Sequence, residues 1–126
     1  MRLLYIDDDR INTLLFVEAC RFADGVEVES AASGAEALEV AQRWQPELLV
    51  VDLHLPDTNG YELLAALRRA LGQPTLPAFL CTADDEDAVA EPARLAGFAG
   101  CWTKPVNLAT VLAELSRRRG GPGPVA

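Results

Sequence analysis

The chain has 126 residues, half of them apolar, and a formal net charge of −8. That length fits one domain that buries a core without disulfide or metal staples. The acidity argues against nucleic acid, where a surplus of Lys and Arg must release counterions, and against an anionic membrane surface. Aliphatic runs such as 48–51 cannot span a bilayer. The apolar run after Met1 and Arg2 ends at Asp7, too early for a signal peptide, so the chain reads as cytoplasmic. Cys20, Cys81 and Cys101 stand in apolar patterns with no C-x-x-C spacing, which marks them as small buried hydrophobes.

Leu3-Leu4-Tyr5-Ile6 is a short apolar run that stops at acids, a buried strand. Residues 10–22 follow helical spacing through Ile11, Leu14, Leu15, Val17 and Phe22, and Asp24-Gly25 closes the segment. Val26 and Val28 begin a second strand. Ser33-Gly34-Ala35-Glu36 is an S-x-x-E capping box that opens a helix running to about Trp44, with Pro46 beyond it. Residues 48–51 form a third strand ending at Asp52, and a loop over 53–59 leads to a helix with Tyr61, Leu64, Leu67 and Leu71 on one stripe. Residues 78–81 make a fourth strand ending at Thr82. A helical segment over 84–96 stops at Gly97; its interior Pro92 loses a hydrogen bond and crowds the carbonyl of Ala88, so a loose turn or a kink is expected there. Residues 101–103 make a fifth strand ending at Lys104. Asn107 caps a last helix with Leu108, Val111, Leu112 and Leu115 at i, i+3, i+4 and i+7. The leucine stripes and Trp44 read as core or half-core, and 120–126 as a Gly/Pro tail with nothing to pack.

Strands alternating with helices predict an α/β fold, a doubly wound five-stranded parallel sheet covered by five helices. The expected strand order is 2-1-3-4-5, flavodoxin-like, with a crevice where the chain reverses direction between strands 1 and 3.

Strand 1 ends at Asp7, Asp8 and Asp9, and strand 3 ends at Asp52. Neighbouring strands lie about 4.8 Å apart, so several carboxylates converge on that crevice. Thr82 and Lys104 arrive on the same rim. A single acid ending a strand means little; acids, a hydroxyl and an ammonium at four strand ends on the binding side mean much more. Like charges at short range resist joint ionisation. Lys104 is the only basic residue among these strand ends, which implies a hard divalent cation, and all-oxygen donors with open positions suit Mg²⁺. A carboxylate beside Mg²⁺, a hydroxyl and a lysine can form an acyl phosphate.

Four segments, in order and at family spacing, resemble the receiver domain of bacterial two-component response regulators and hybrid histidine kinases over residues 1 to about 118. They are Tyr5-Ile6-Asp7-Asp8-Asp9, Val50-Val51-Asp52-Leu53-His54-Leu55-Pro56-Asp57-Thr58-Asn59-Gly60, Leu80-Cys81-Thr82-Ala83 and Lys104-Pro105. The resemblance implies a receiver domain over 1–119 that accepts a phosphoryl group on Asp52 from a histidine kinase or histidine phosphotransfer protein and then switches conformation. It implies Asp8, Asp52 and the backbone carbonyl of His54 as direct Mg²⁺ ligands, with Asp7 acting mainly through metal-bound water. Thr82 and Lys104 would hold phosphoryl oxygens, and the Lys104-Pro105 bond would be cis. It also allows a homodimer through the face of the fourth helix, fifth strand and fifth helix. Such a domain modifies only itself and turns over no metabolite. One departure stands out: Cys101 takes the place where receivers usually carry Tyr or Phe, and Trp102 follows it.

Rival readings are weaker. A haloacid-dehalogenase-type phosphatase needs a second Asp where His54 stands, and the P-loop pattern is absent. A receiver-like interaction module that has lost phosphorylation would not need the acid pair, Asp52, Thr82 and Lys104 together. His54, the only histidine, reads as a solvent-facing side chain that at most tunes phosphoryl lifetime, and Asp9 as helix-start polarity. Arg117, Arg118 and Arg119 suit a helix C-terminus. The output, and the choice between a stand-alone regulator and part of a hybrid kinase, stay open.

Overall fold

The computed structural model describes residues 1–119; the tail expected over 120–126 lies outside the described residues. The elements alternate strictly. Strands β1 (Arg2–Ile6), β2 (Glu27–Ala31), β3 (Leu48–Asp52), β4 (Ala78–Thr82) and β5 (Gly100–Thr103) are each followed by a helix. These helices are α1 (Arg10–Cys20), α2 (Gly34–Trp44), α3 (Gly60–Leu71), α4 (Glu86–Ala96) and α5 (Leu108–Arg119). The sheet is parallel throughout in the order β2-β1-β3-β4-β5, as the sequence predicts.

Side chains alternate across a strand, and this divides the core in two. Leu4, Ile6, Leu49, Val51 and Leu80 face one side and meet Val40 of α2, Leu64 and Leu67 of α3, and Val89 of α4. Leu3, Tyr5, Leu48, Val50 and Phe79 face the other and meet Phe16 of α1 and Val111 and Leu115 of α5. Strands β3 and β4, covered on both faces, are buried at every position. Trp102 belongs to the second side, stacked on Phe79 at 4.6 Å between ring centroids, while the half-buried Cys101 packs on the first.

One expectation needs correction and another is narrowed. The α1 stripe is not core: Ile11, Leu14, Leu15 and Phe22 are 59–77% exposed, and α1 instead buries Phe16 and Cys20. Of the two outcomes expected at Pro92, a loose turn or a kink, the loose turn does not occur, for α4 is helical from Glu86 to Ala96 with Pro92 inside. Both Pro92 and Ala88 are exposed, so water can reach the carbonyl that the proline leaves without its partner.

Helix starts set the loops that carry the site. Asp9 caps α1, its Oδ1 accepting from the amides of Ile11 and Asn12. Ser33 caps α2 by accepting from the Glu36 amide, and the Glu36 carboxylate accepts from the Ala32 amide. Asn59 caps α3, and Asn107 accepts from the Thr110 amide at the start of α5. No described helix is long and apolar enough to cross a membrane.

Candidate functional site

The carboxyl ends of β1, β3, β4 and β5 bring together Asp7, Asp8, Asp52, Thr82 and Lys104. Register explains it: Ile6 pairs with Val51 and Asp52 with Cys81, so Asp7 follows β1 at the level where β3 ends in Asp52. Thr82 is paired with Thr103, so Lys104 leaves β5 one residue above the hydroxyl. The Lys104 amide donates to the Thr82 carbonyl at 2.7 Å, and the Lys104-Pro105 bond is cis as expected.

Lys104 Nζ lies 2.8 Å from Asp7 Oδ2 and 3.2 Å from Asp52 Oδ2, a partly buried ammonium shared by two buried carboxylates. Asp7 also accepts from the Tyr5 hydroxyl at 2.9 Å and from the Asp9 amide at 2.9 Å. Three donors hold it in place, which suits a structural and electrostatic member of the cluster. The Asp52 carboxyl has no such saturation. Burial pushes it up to about 6, Lys104 pulls against that rise, and the adjacent Asp7 adds to it. Burial alone would lower the Lys104 ammonium, but Asp7 and Asp52 reverse this and hold it above its ordinary value. Cys81 lies beside this cluster and is pushed up to about 12, chiefly by burial, so it stays a neutral thiol.

One carboxylate oxygen each from Asp7, Asp8 and Asp52 lies within 4.8 Å of the others. Asp8 is exposed while the other two are buried, so the cluster has one face open to solvent. These are hard oxygen donors with surplus negative charge, and they can hold a divalent metal ion. Asp9 takes no part, because its side chain is committed to the α1 cap.

Thr82 is fully buried, and its Oγ1 accepts from the Asp84 amide at 3.1 Å. His54 is exposed as expected, and its Nε2 also sits 2.9 Å from Asp84 Oδ2 across the mouth of the crevice. That contact spans thirty residues of chain, and no spacing in the sequence announces it.

The family model described as "Response regulator receiver domain" matches residues 3–116. The chain belongs to the response regulator receiver domain family. Response regulator MprA of Mycobacterium leprae is 34% identical over 115 residues, covering 91% of this chain and 49% of that protein. Transcriptional regulatory protein KdpE of Mycobacterium tuberculosis is 31% identical over 115 residues, covering 91% and 50%. The receiver domain thus spans about half the length of these curated relatives. Among solved structures, Vibrio cholerae chemotaxis protein CheY4 is 28% identical with a TM-score of 0.82, over 92% of this chain and 96% of that one.

Of the site residues expected from sequence, Asp7, Asp52 and Thr82 are buried, Lys104 is partly buried against the two acids, Asp8 lies on the open side of the cluster, and His54 is exposed. The sequence reading missed the Tyr5 hydroxyl, because a strand tyrosine reads only as core. It also missed the His54–Asp84 pair and the use of Asp57 described below.

Proposed function

We propose that this receiver domain accepts a phosphoryl group on Asp52 from the phosphohistidine of a histidine kinase or histidine phosphotransfer protein, with Mg²⁺ held beside it, and that the new charge switches its conformation. One observation carries the reading: a buried, weakly satisfied carboxylate shares a crevice with an ammonium, a hydroxyl and two further acids. In the transfer, an Asp52 oxygen bonds to phosphorus while the phosphorus–nitrogen bond breaks and its electron pair returns to the imidazole. The product is an acyl phosphate. Hydrolysis of that anhydride later returns the carboxylate and inorganic phosphate, so the domain carries one group and turns over no metabolite.

Lys104 now holds two carboxylates; once Asp52 is phosphorylated it can hold a phosphoryl oxygen instead. The Thr82 hydroxyl, at the next strand end, can donate to another. Asp8, Asp52 and the His54 carbonyl fit as direct Mg²⁺ ligands, with Asp7 acting through metal-bound water. The bound ion would neutralise charge on the phosphoryl group.

The donor's imidazole must reach the same rim. Helix α1 starts there and presents Ile11, Leu14 and Leu15 to solvent, next to a pocket of about 260 Å³ bordered by Pro105 and Val106. That apolar stripe suits the helix of a donor protein. A homodimer through α4, β5 and α5 is a further reading, with Leu95 of α4 an exposed apolar group. The acidity of the chain gives no footing for nucleic acid.

The test is binding of beryllofluoride, which mimics an acyl phosphate on a carboxylate. The wild-type chain should bind it in the presence of Mg²⁺ and lose it on chelation; Asp52→Asn should not bind it. Absence of binding by the wild type would overturn the reading.

A further inference from the structure

The loop after β3 contains an acid that neither the metal cluster nor the phosphoryl chemistry uses. Asp57 turns away from the crevice: its Oδ1 accepts from the Gly34 amide at 2.8 Å and its Oδ2 from the Ala35 amide at 3.0 Å. Both oxygens are therefore spent on the first turn of α2. The first amides of a helix have no partner within it, and Ser33 satisfies only that of Glu36. Asp57 supplies the rest from more than twenty residues along the chain, and these two amides hold its carboxyl below the usual range. The approach is close: a Cβ on Gly34 would stand 2.6 Å from Thr58 Cγ2.

The loop itself is compact. The Leu55 amide donates to the Thr58 carbonyl at 3.2 Å, His54 bridges to Asn59, and the Gly60 amide donates to the Leu53 carbonyl at 2.9 Å. A loop tied internally in this way moves as a piece, so fixing Asp57 fixes His54, three residues earlier. We infer that Asp57 is a positioning residue: by clamping the 53–59 loop onto the N-terminus of α2, it sets the place of the His54 backbone carbonyl and thereby the affinity of the site for Mg²⁺. This rests on the Mg²⁺ reading above and assigns a role to a residue that touches no ligand.

Groups that orient metal ligands commonly change affinity by about tenfold or more when removed. Calorimetric Mg²⁺ titrations of the wild type, Asp57→Ala, Asp57→Asn and Ser33→Ala separate the explanations. Ser33→Ala removes a cap from the same helix without touching the loop. Asp57→Ala should bind Mg²⁺ about tenfold more weakly; Asp57→Asn, which keeps one acceptor oxygen, should fall between; Ser33→Ala should match the wild type while losing thermal stability. In the metal-free protein, amide exchange at Leu55 and Gly60 should quicken in Asp57→Ala and not in Ser33→Ala. Wild-type affinity in Asp57→Ala, an equal loss in Ser33→Ala, or unchanged exchange in the loop would each overturn the inference. If the wild type itself fails to bind Mg²⁺, both readings fall; if it binds and Asp57→Ala binds equally, the positioning role alone falls.

Discussion

Asp52 carries a cost that its neighbours only partly remove. Its carboxyl is raised from 3.8 to about 6, chiefly by burial, so the native state holds this proton more tightly than the unfolded chain does. The stability this contributes is present below about 3.8 and is lost as the pH rises through about 6. At pH 7 the ionised group is a net burden. Asp52→Asn should therefore be more stable than the wild type at pH 7 by about 1–3 kcal/mol, with the gain shrinking towards pH 4. Urea unfolding at the two pH values checks it; a less stable mutant at pH 7 would mean that the Lys104 pair outweighs desolvation. The acid run makes a second prediction. Asp8→Ala should weaken Mg²⁺ binding more than Asp9→Ala, because the Asp9 side chain is held by the Ile11 and Asn12 amides. Asp9→Ala should instead cost about 1 kcal/mol of stability through the lost cap. Equal loss of Mg²⁺ affinity in both would contradict the assignment.

At the scale of elements, Pro92 and Cys101 are the two departures that matter. Pro92 leaves the Ala88 carbonyl without its helical partner, yet α4 continues through it on an exposed face. Pro92→Ala should stabilise the protein by about 1–2 kcal/mol in urea unfolding, the regained hydrogen bond being offset in part by a more flexible unfolded chain; a loss would reverse that balance. Cys101 is too small to swing into space vacated by Thr82, and Trp102 points to the opposite side of the sheet, against Phe79. Thr82 is tied to the Asp84 amide, and Asp84 to His54, so movement of the hydroxyl towards a phosphoryl group must disturb the 83–85 loop that leads into α4. Hydrogen exchange with Mg²⁺ alone and with added beryllofluoride should change most in that loop. Change confined to the residues around Trp102 would contradict this route.

Across the whole molecule, the strand runs and the turns between them made the sheet order legible, and strand ends made Asp7, Asp52, Thr82 and Lys104 legible with it. Periodicity failed at α1, because a helix pattern reports that one face is apolar without saying whether that face meets the sheet; Phe16 and Cys20 do, and Leu14 and Leu15 do not. At α4, proline chemistry left a loose turn and a kink both open, and solvent access to the freed carbonyl is what lets the helix continue through Pro92. Asp57 escaped notice for another reason. Its partners, Gly34 and Ala35, are made neighbours only by the crossover that lays α2 beside the β3–α3 loop. The capping box left those two amides without partners, and that was the one available signal. The central claim, that this sheet exists to hold a phosphoryl group on Asp52, meets its most direct test in peptide mapping after incubation with acetyl phosphate and Mg²⁺. One base-labile phosphoryl group should appear on the peptide containing Asp52, absent after chelation and absent in Asp52→Asn. Phosphate found on another residue, or undiminished in that mutant, would contradict it.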